Sequence, residues 1–482
     1  MSFLGLDLGT SGLRALLIDE AGQPIGAAEA HYEVAHPHPG WSEQNPADWI
    51  DALQAAVAEL RDRHPEFAAL RGIGVAGHMH GATLLDADDR VLRPCILWND
   101  TRSHAEAAQL DANPDFRAIS GNIVFPGFTA PKLEWLRRHE PDVHARVARV
   151  LLPAAYLNLW LTGQHVSDLS DASGTSWLDV GGRDWSPALL EAGHMRADQM
   201  QRLVEGCAPA GQLRDTLAAE WGLSQPVTVA GGAGDNAAAA CGIGAMAEGQ
   251  GFVSLGTSGV LLAARDGYRP APETALHSFC HAVPGRWYQM GVMLSATDSL
   301  NWLARMTGSR PAELTAGLTQ LRAPGAVRFL PYLSGERTPH NDAVIRGSLT
   351  GLDAATTRED LTRAVLEGVA FGLRDSFDAL RATGAQLDRL MAIGGGARSR
   401  YWLAVIATAL DVTLDLPADG EFGAALGAAR LGQVAAGAGS IDEVMTSPRV
   451  AEEITPDPTL RDAFDAAHAA WRKTYPAIRA VQ

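Results

Sequence analysis

Asp235 directly follows the run Gly231-Gly232-Ala233-Gly234 and opens the alanine-rich stretch Ala237 to Ala240. At a helix N-terminus a carboxylate meets free N–H groups and the positive end of the helix dipole, which keeps it ionised at neutral pH. It can then orient an attacking hydroxyl and take its proton, most of what phosphoryl transfer asks of a side chain. The same place suits a plain helix cap, and position alone leaves both roles open. A second aspartate, Asp7, ends the apolar run that starts at Phe3. A charge there needs a partner or a metal, so it serves either a cation or the amides of its own turn.

That turn is Leu8-Gly9-Thr10-Ser11-Gly12, and the same pentapeptide returns as Leu255-Gly256-Thr257-Ser258-Gly259. Apolar runs flank each copy, which predicts strand, tight turn, strand. Glycine, threonine and serine in such turns offer amides and hydroxyls to phosphate oxygens, making Thr10, Ser11, Gly256 and Thr257 phosphate-contact candidates. Asp7 in the first copy becomes Ser254 in the second. Only one half supplies a carboxylate, as expected if a single cation accompanies the phosphates. Two such hairpins suggest a duplicated fold facing a shared phosphate. Gly394-Gly395-Gly396, followed by Ser399, is a further phosphate-like or nucleotide-like turn between a strand and a helix.

Met79 lies between His78 and His80. His-x-His on a strand would put both rings on one face, as a metal hydrolase needs. Polar side chains reading a sugar's hydroxyls fit equally well, with Trp98 as an aromatic platform and Asn99 and Arg102 adding hydrogen bonds. Trp98 taken alone fits ordinary core packing. Gly72 to Gly77 matches Gly-x-Gly-x-x-Gly by letter, but a polar loop and not a helix follows, so the dinucleotide reading fails. Neither of the two lysines, Lys132 and Lys473, follows a glycine, which excludes a Walker A loop.

The elements that must position these residues alternate as in α/β proteins. Helices are expected over 52–60, 361–382, 401–410 and 423–437, the last built of small residues suited to close packing. A surface helix is expected over 460–477. Strands are expected over 71–76, 227–230, 327–333 and 390–393, with an extended run over 91–98. The glycines at 242, 244, 249 and 251 mark a joint, dividing the chain into 1–245 and 246–482. A length of 482 residues suits two domains. A net charge of -17 argues against nucleic-acid or anionic-membrane partners, and the four cysteines show no close-spaced pair. With no basic leader ahead of the first strand and no bilayer-length apolar stretch, a cytoplasmic location is expected.

Together the two Gly-Thr-Ser-Gly hairpins and the Gly394 to Ser399 turn resemble the actin-like, ribonuclease H-like ATPase fold. Within it the chain resembles the FGGY carbohydrate kinases. Gly127-Phe128-Thr129-Ala130-Pro131-Lys132-Leu133-Glu134-Trp135-Leu136 is similar to that family's first signature, and Gly347 to Leu352, running on to Glu367, to its second. Further carriers are Trp41 to Gln44, Met79 to Thr83, Ile96 to Asp100, His277 to His281 and Leu333 to Asn341.

The resemblance implies two domains facing a central cleft, with the sugar mainly on the first and ATP mainly on the second. It implies MgATP and a ketose, D-xylulose, as substrates, with ribulose, fuculose, erythritol or glycerol as alternatives. It implies sugar contacts from Met79 and His80, proton acceptance by Asp235, a magnesium role for Asp7 through water, and ATP contacts from Gly256, Thr257, Gly395 and Gly396. Two departures stand out: His78 replaces a usual glutamine, and Ala154-Ala155 a Lys-Asp pair. Assembly as a homodimer is left open. A sugar-independent, actin-like ATPase module is the rival from another class.

Overall fold

The structure, a computed structural model, describes residues 1–418 and 423–482. Ser2–Leu8 and Gly12–Asp19 form the first expected hairpin, and Gly251–Leu255 and Gly259–Arg265 the second. Each hairpin sits inside its own seven-stranded mixed sheet.

The two sheets repeat one plan. In the first, Pro24–His31, Gly12–Asp19, Ser2–Leu8, Leu70–Gly77, Thr228–Ala230 and Pro209–Gln212 lie side by side. In the second the matching order is Trp287–Met293, Gly259–Arg265, Gly251–Leu255, Arg389–Ile393, Thr413–Pro417 and Val450–Ile454. Neighbours run antiparallel, antiparallel, parallel, parallel, antiparallel in both. This is the duplication expected from the repeated pentapeptide. The α/β class holds, with helices against a mixed sheet in each half.

Each half lends the other a helix. Gly423–Ala435 lies in sequence between two strands of the second sheet, Thr413–Pro417 and Val450–Ile454, yet packs on the first. It can come so close because the strands beneath it carry glycines. A Cβ on Gly5 would lie 1.9 Å from the Ala425 carbonyl oxygen, and one on Gly74 1.9 Å from that of Ala428. In return Asp235–Ile243 buries Ala237, Ala238 and Ala240 in a core shared with Phe252, Leu262, Tyr288 and Met290 of the second sheet. These two helices also pack on one another, where a Cβ on Gly427 would meet the Ala238 carbonyl oxygen at 1.7 Å.

Several boundaries differ from expectation. Within 91–98 only Cys95–Ile96 pairs as strand, and within 327–333 only Arg328–Leu330. The tail forms two helices, Arg461–Trp471 and Thr474–Arg479. The first is not a surface helix throughout, since Phe464, His468 and Trp471 are buried, and the Trp471 indole donates to the Phe329 carbonyl at 2.7 Å. Among the described residues no helix is long and apolar enough to cross a membrane.

Candidate active site

Asp235 is the first residue of its helix, and its carboxylate does not cap that helix beyond the next residue. Oδ1 accepts from the Asn236 backbone N–H at 2.7 Å and from its side-chain amide at 2.8 Å. Burial pushes its pKa up to about 6, tempered by those two bonds. The helix-terminus argument alone would keep it lower, but desolvation outweighs the dipole here. At neutral pH it is still mainly ionised. The Ser170 hydroxyl accepts from the Gly234 N–H at 3.2 Å and donates to Asp168, so a buried network holds the residue just before Asp235.

Asp7 stands across the strand pair from Arg14. Burial, with Asp235 adding repulsion, pushes its carboxyl up to about 7, while Arg14 pulls it down. That repulsion shows the two aspartates share one electrostatic environment, although they sit 228 positions apart in sequence. Asp171, fully buried nearby, has a pKa raised well above normal by burial and then by Asp168 and Asp235. Its two oxygens lack a hydrogen-bond partner among the described residues.

Met79 and His80 lie just beyond the strand Leu70–Gly77, not on it. His80 adopts a left-handed backbone, with φ of 71°, so the pair His78/His80 does not share a strand face. The His80 ring bonds the Gly174 carbonyl at 2.8 Å and stacks on Phe128 with centroids 4.5 Å apart. His78 is buried against Trp49, 5.5 Å centroid to centroid, and neither of its ring nitrogens has a partner among the described residues. Burial lowers its pKa to about 3, so it is neutral. This arrangement gives the metal-hydrolase reading no support. Met79 packs against the acidic centre: a Cβ on Gly234 would lie 2.8 Å from its Cγ, and the Tyr288 hydroxyl reaches its sulfur at 3.8 Å.

Trp98 and Asn99 line a cavity of about 300 Å³ together with Phe125, Gly127, Glu336 and Arg337. The Trp98 indole donates to the Thr10 hydroxyl at 3.1 Å, tying this cavity to the first hairpin turn. Arg102 is not available as a sugar donor. Its guanidinium pairs with Asp100 and Glu43, each at 2.7 Å, and lies 3.6 Å over the Trp41 ring. Glu336 and Arg337 were given no role from sequence. Burial raises Glu336 to about 8, and Arg337, reaching from the second half, lies 4.8 Å over the Phe125 ring of the first. The signal available was a Glu-Arg pair set between Gly335 and Pro339, where a turn would present both charges.

A separate cavity of about 530 Å³ is lined by Gly395, Gly396, Ser399, Thr297, Asn301 and Trp402, among others. Ser399 caps the helix Arg400–Leu410, its hydroxyl accepting from the Trp402 N–H at 3.3 Å. Gly256 joins this side, because Thr297 donates both its N–H (3.0 Å) and its hydroxyl (2.7 Å) to the Gly256 carbonyl. Thr257 is held likewise by the Ala296 N–H at 2.8 Å. Ser11 is exposed at the tip of the first turn and, like Thr10, does not line this cavity. Of the two departures, Ala154 fills the space beside Gly77, whose Cβ would lie 3.0 Å from the Ala154 nitrogen.

Comparison with known proteins sets this geometry in context. A model of the N-terminal domain of the FGGY family of carbohydrate kinases matches residues 2–242, and one of its C-terminal domain matches residues 251–436. The xylulose kinase of Escherichia coli (strain K12) is 45% identical over 477 residues, covering 98% of this chain and 98% of that protein. That of Klebsiella pneumoniae is 48% identical over 437 residues, 90% of each chain. Among solved structures, a xyloylose kinase from Brucella ovis is 58% identical with a TM-score of 0.98 over 100% of both chains. A xylulose kinase from Rhodospirillum rubrum is 31% identical with a TM-score of 0.91, over 100% of this chain and 99% of that one.

Proposed function

The chain belongs to the FGGY family of carbohydrate kinases, and from that premise we propose that it transfers the γ-phosphoryl group of ATP to D-xylulose, forming D-xylulose 5-phosphate. The observation that carries the phosphoryl-transfer reading is Asp235, an ionised carboxylate held in one electrostatic environment with Asp7. The choice of ketose rests on xylulose kinases matched over nearly their full length.

The sugar lies against Met79 and His80, with Trp98 and Asn99 beside it, and its C5 hydroxyl faces Asp235. The new bond joins that oxygen to the γ-phosphorus as the bond to the ADP oxygen breaks, and the hydroxyl proton passes to Asp235. Gly256, Thr257, Gly395, Gly396 and Ser399 hold the nucleotide from the second half. Thr10 and Ser11 approach its phosphates from the first. Closure of the two halves, divided near 245, excludes water from the transfer.

Asp7 fits a magnesium ion: it is a hard oxygen donor on a part-buried strand end, and desolvation and the nearby Asp235 carboxylate raise its pKa, the second through a repulsion that a cation would relieve. When bound, magnesium supplies charge neutralisation on the triphosphate. We place the enzyme in the cytoplasm, in keeping with four buried cysteines that are all free thiols.

ADP release measured over a panel of D-xylulose, D-ribulose, L-fuculose, erythritol and glycerol tests the reading. We expect kcat/KM for D-xylulose to exceed every other by at least about tenfold. A better substrate elsewhere in the panel would replace the ketose. ADP release indifferent to every sugar would favour the ATPase module instead.

A further inference from the structure

Lys132 is one of only two lysines in the chain and is completely buried. No ion pair involves it among the described residues. Instead its Nζ donates to the carbonyls of His80 at 2.6 Å and Gly127 at 2.7 Å. The Thr129 hydroxyl adds a bond to the same His80 carbonyl at 3.2 Å. Burial depresses its pKa to about 7, which measures how poorly this place suits an ammonium. An apolar chain of equal length would fill the volume without that penalty. What the amine holds should therefore matter.

It holds strained backbone. His80 has φ of 71°, a left-handed conformation that is sterically strained for a residue with a Cβ. Such a conformation persists only where its surroundings impose it. Here the ring is fixed by the Gly174 carbonyl and the peptide by Lys132. The second carbonyl belongs to Gly127, whose Cα lies so close to Trp98 that a Cβ would come 2.2 Å from the Trp98 oxygen. One amine thus ties the segment carrying Met79 and His80 to the loop that backs Trp98 and Asn99.

We infer that Lys132 is a positioning residue of the sugar site: by gathering the His80 and Gly127 carbonyls it sets the spacing of the two segments that hold the ketose, without touching sugar or nucleotide. The inference rests on the proposed role of His80 as a sugar contact.

The test compares Lys132→Met, Thr129→Val and His80→Ala in the full-length enzyme, reading KM for D-xylulose and for ATP separately. Lys132→Met should raise the sugar KM about tenfold and leave the ATP KM within about twofold, a split that general loosening of the fold would not produce. A sugar KM raised less than threefold, or an ATP KM raised as much as the sugar's, overturns the inference. If Lys132→Met is insoluble, Thr129→Val decides: about a threefold rise in sugar KM supports the inference and an unchanged value overturns it. His80→Ala separates the premises. A raised sugar KM there, beside an unaffected Lys132→Met, sinks the Lys132 role alone. An unchanged sugar KM in His80→Ala sinks the sugar-site reading and the inference with it.

Discussion

In the first hairpin Leu8 pairs with Leu13 and Asp7 faces Arg14, whereas in the second Leu255 pairs with Gly259 and Ser254 faces Val260. The five letters are the same, but the closures differ by one residue. Their surroundings explain it. The first turn gives its Gly9 and Thr10 carbonyls to side chains, Tyr32 and Gln44, each at 2.6 Å. The second gives its Gly256 and Thr257 carbonyls to backbone amides at the start of the helix Thr297–Thr307. One turn is fastened to the half that carries Met79, His80 and Asp235, the other to a helix lining the larger cavity. The pentapeptide supplies the turn, and the packing around it decides which side of the proposed site the turn joins.

If that division is right, the largest effect belongs to the acidic side. Replacing Asp235 with alanine should lower kcat by about 10³, in the range expected for losing a positioned base, while sugar binding stays measurable by calorimetry. A variant with near-normal turnover would mean the base lies elsewhere, and Asp171 would be the first place to look.

The opposite side should respond in KM and not in turnover. Gly395 lines the larger cavity, and among the described residues beyond its own chain neighbours a Cβ placed there meets no atom within 4 Å. The fold should therefore tolerate alanine at 395, with an unchanged melting curve, while the added methyl occupies ligand space. We expect the ATP KM to rise about tenfold and the sugar KM to hold. A rise in sugar KM instead would mean that the two cavities have been assigned the wrong way round.

How far the sequence carries this picture depends on whether a feature leaves a local mark. The hairpins do, because a turn of Gly, Thr and Ser between apolar runs has few other solutions. Asp235 does too, through the glycines before it and the alanines after it. His80 does not: a left-handed histidine has no compositional sign, and its geometry comes from Lys132, 52 positions later, and Gly174, 94 later. Arg102 misled for the same reason, since only the fold shows its charge already spent on Asp100 and Glu43. The small-residue helix Gly423–Ala435 was legible as a close packer. Its partner was not, because the glycines that receive it, Gly5, Gly72 and Gly74, lie in the other half.

The smallest expected effect sharpens the acidic side further, and it concerns pH. Asp235 must be ionised to accept a proton, and its folded pKa is about 6. With saturating magnesium holding Asp7 ionised, activity should therefore fall as pH drops through 6, to about a tenth of the plateau near pH 5. Asn236 donates its side-chain amide to this carboxylate and holds the pKa down. Asn236→Ala should move the fall to higher pH, and a shift the other way would show that burial is not what sets it. The same raised pKa bears on stability. Because the folded value lies above the ordinary aspartate value that the unfolded chain would have, Asp235 favours the fold most below that ordinary value and loses this contribution as pH rises through 6. Asp235→Asn should consequently melt higher than the parent at pH 7.5, with the gap closing towards pH 4. An inactive variant that is also the more stable one is what a desolvated, part-buried catalytic charge predicts, whereas a plain helix cap would lose stability on the same substitution.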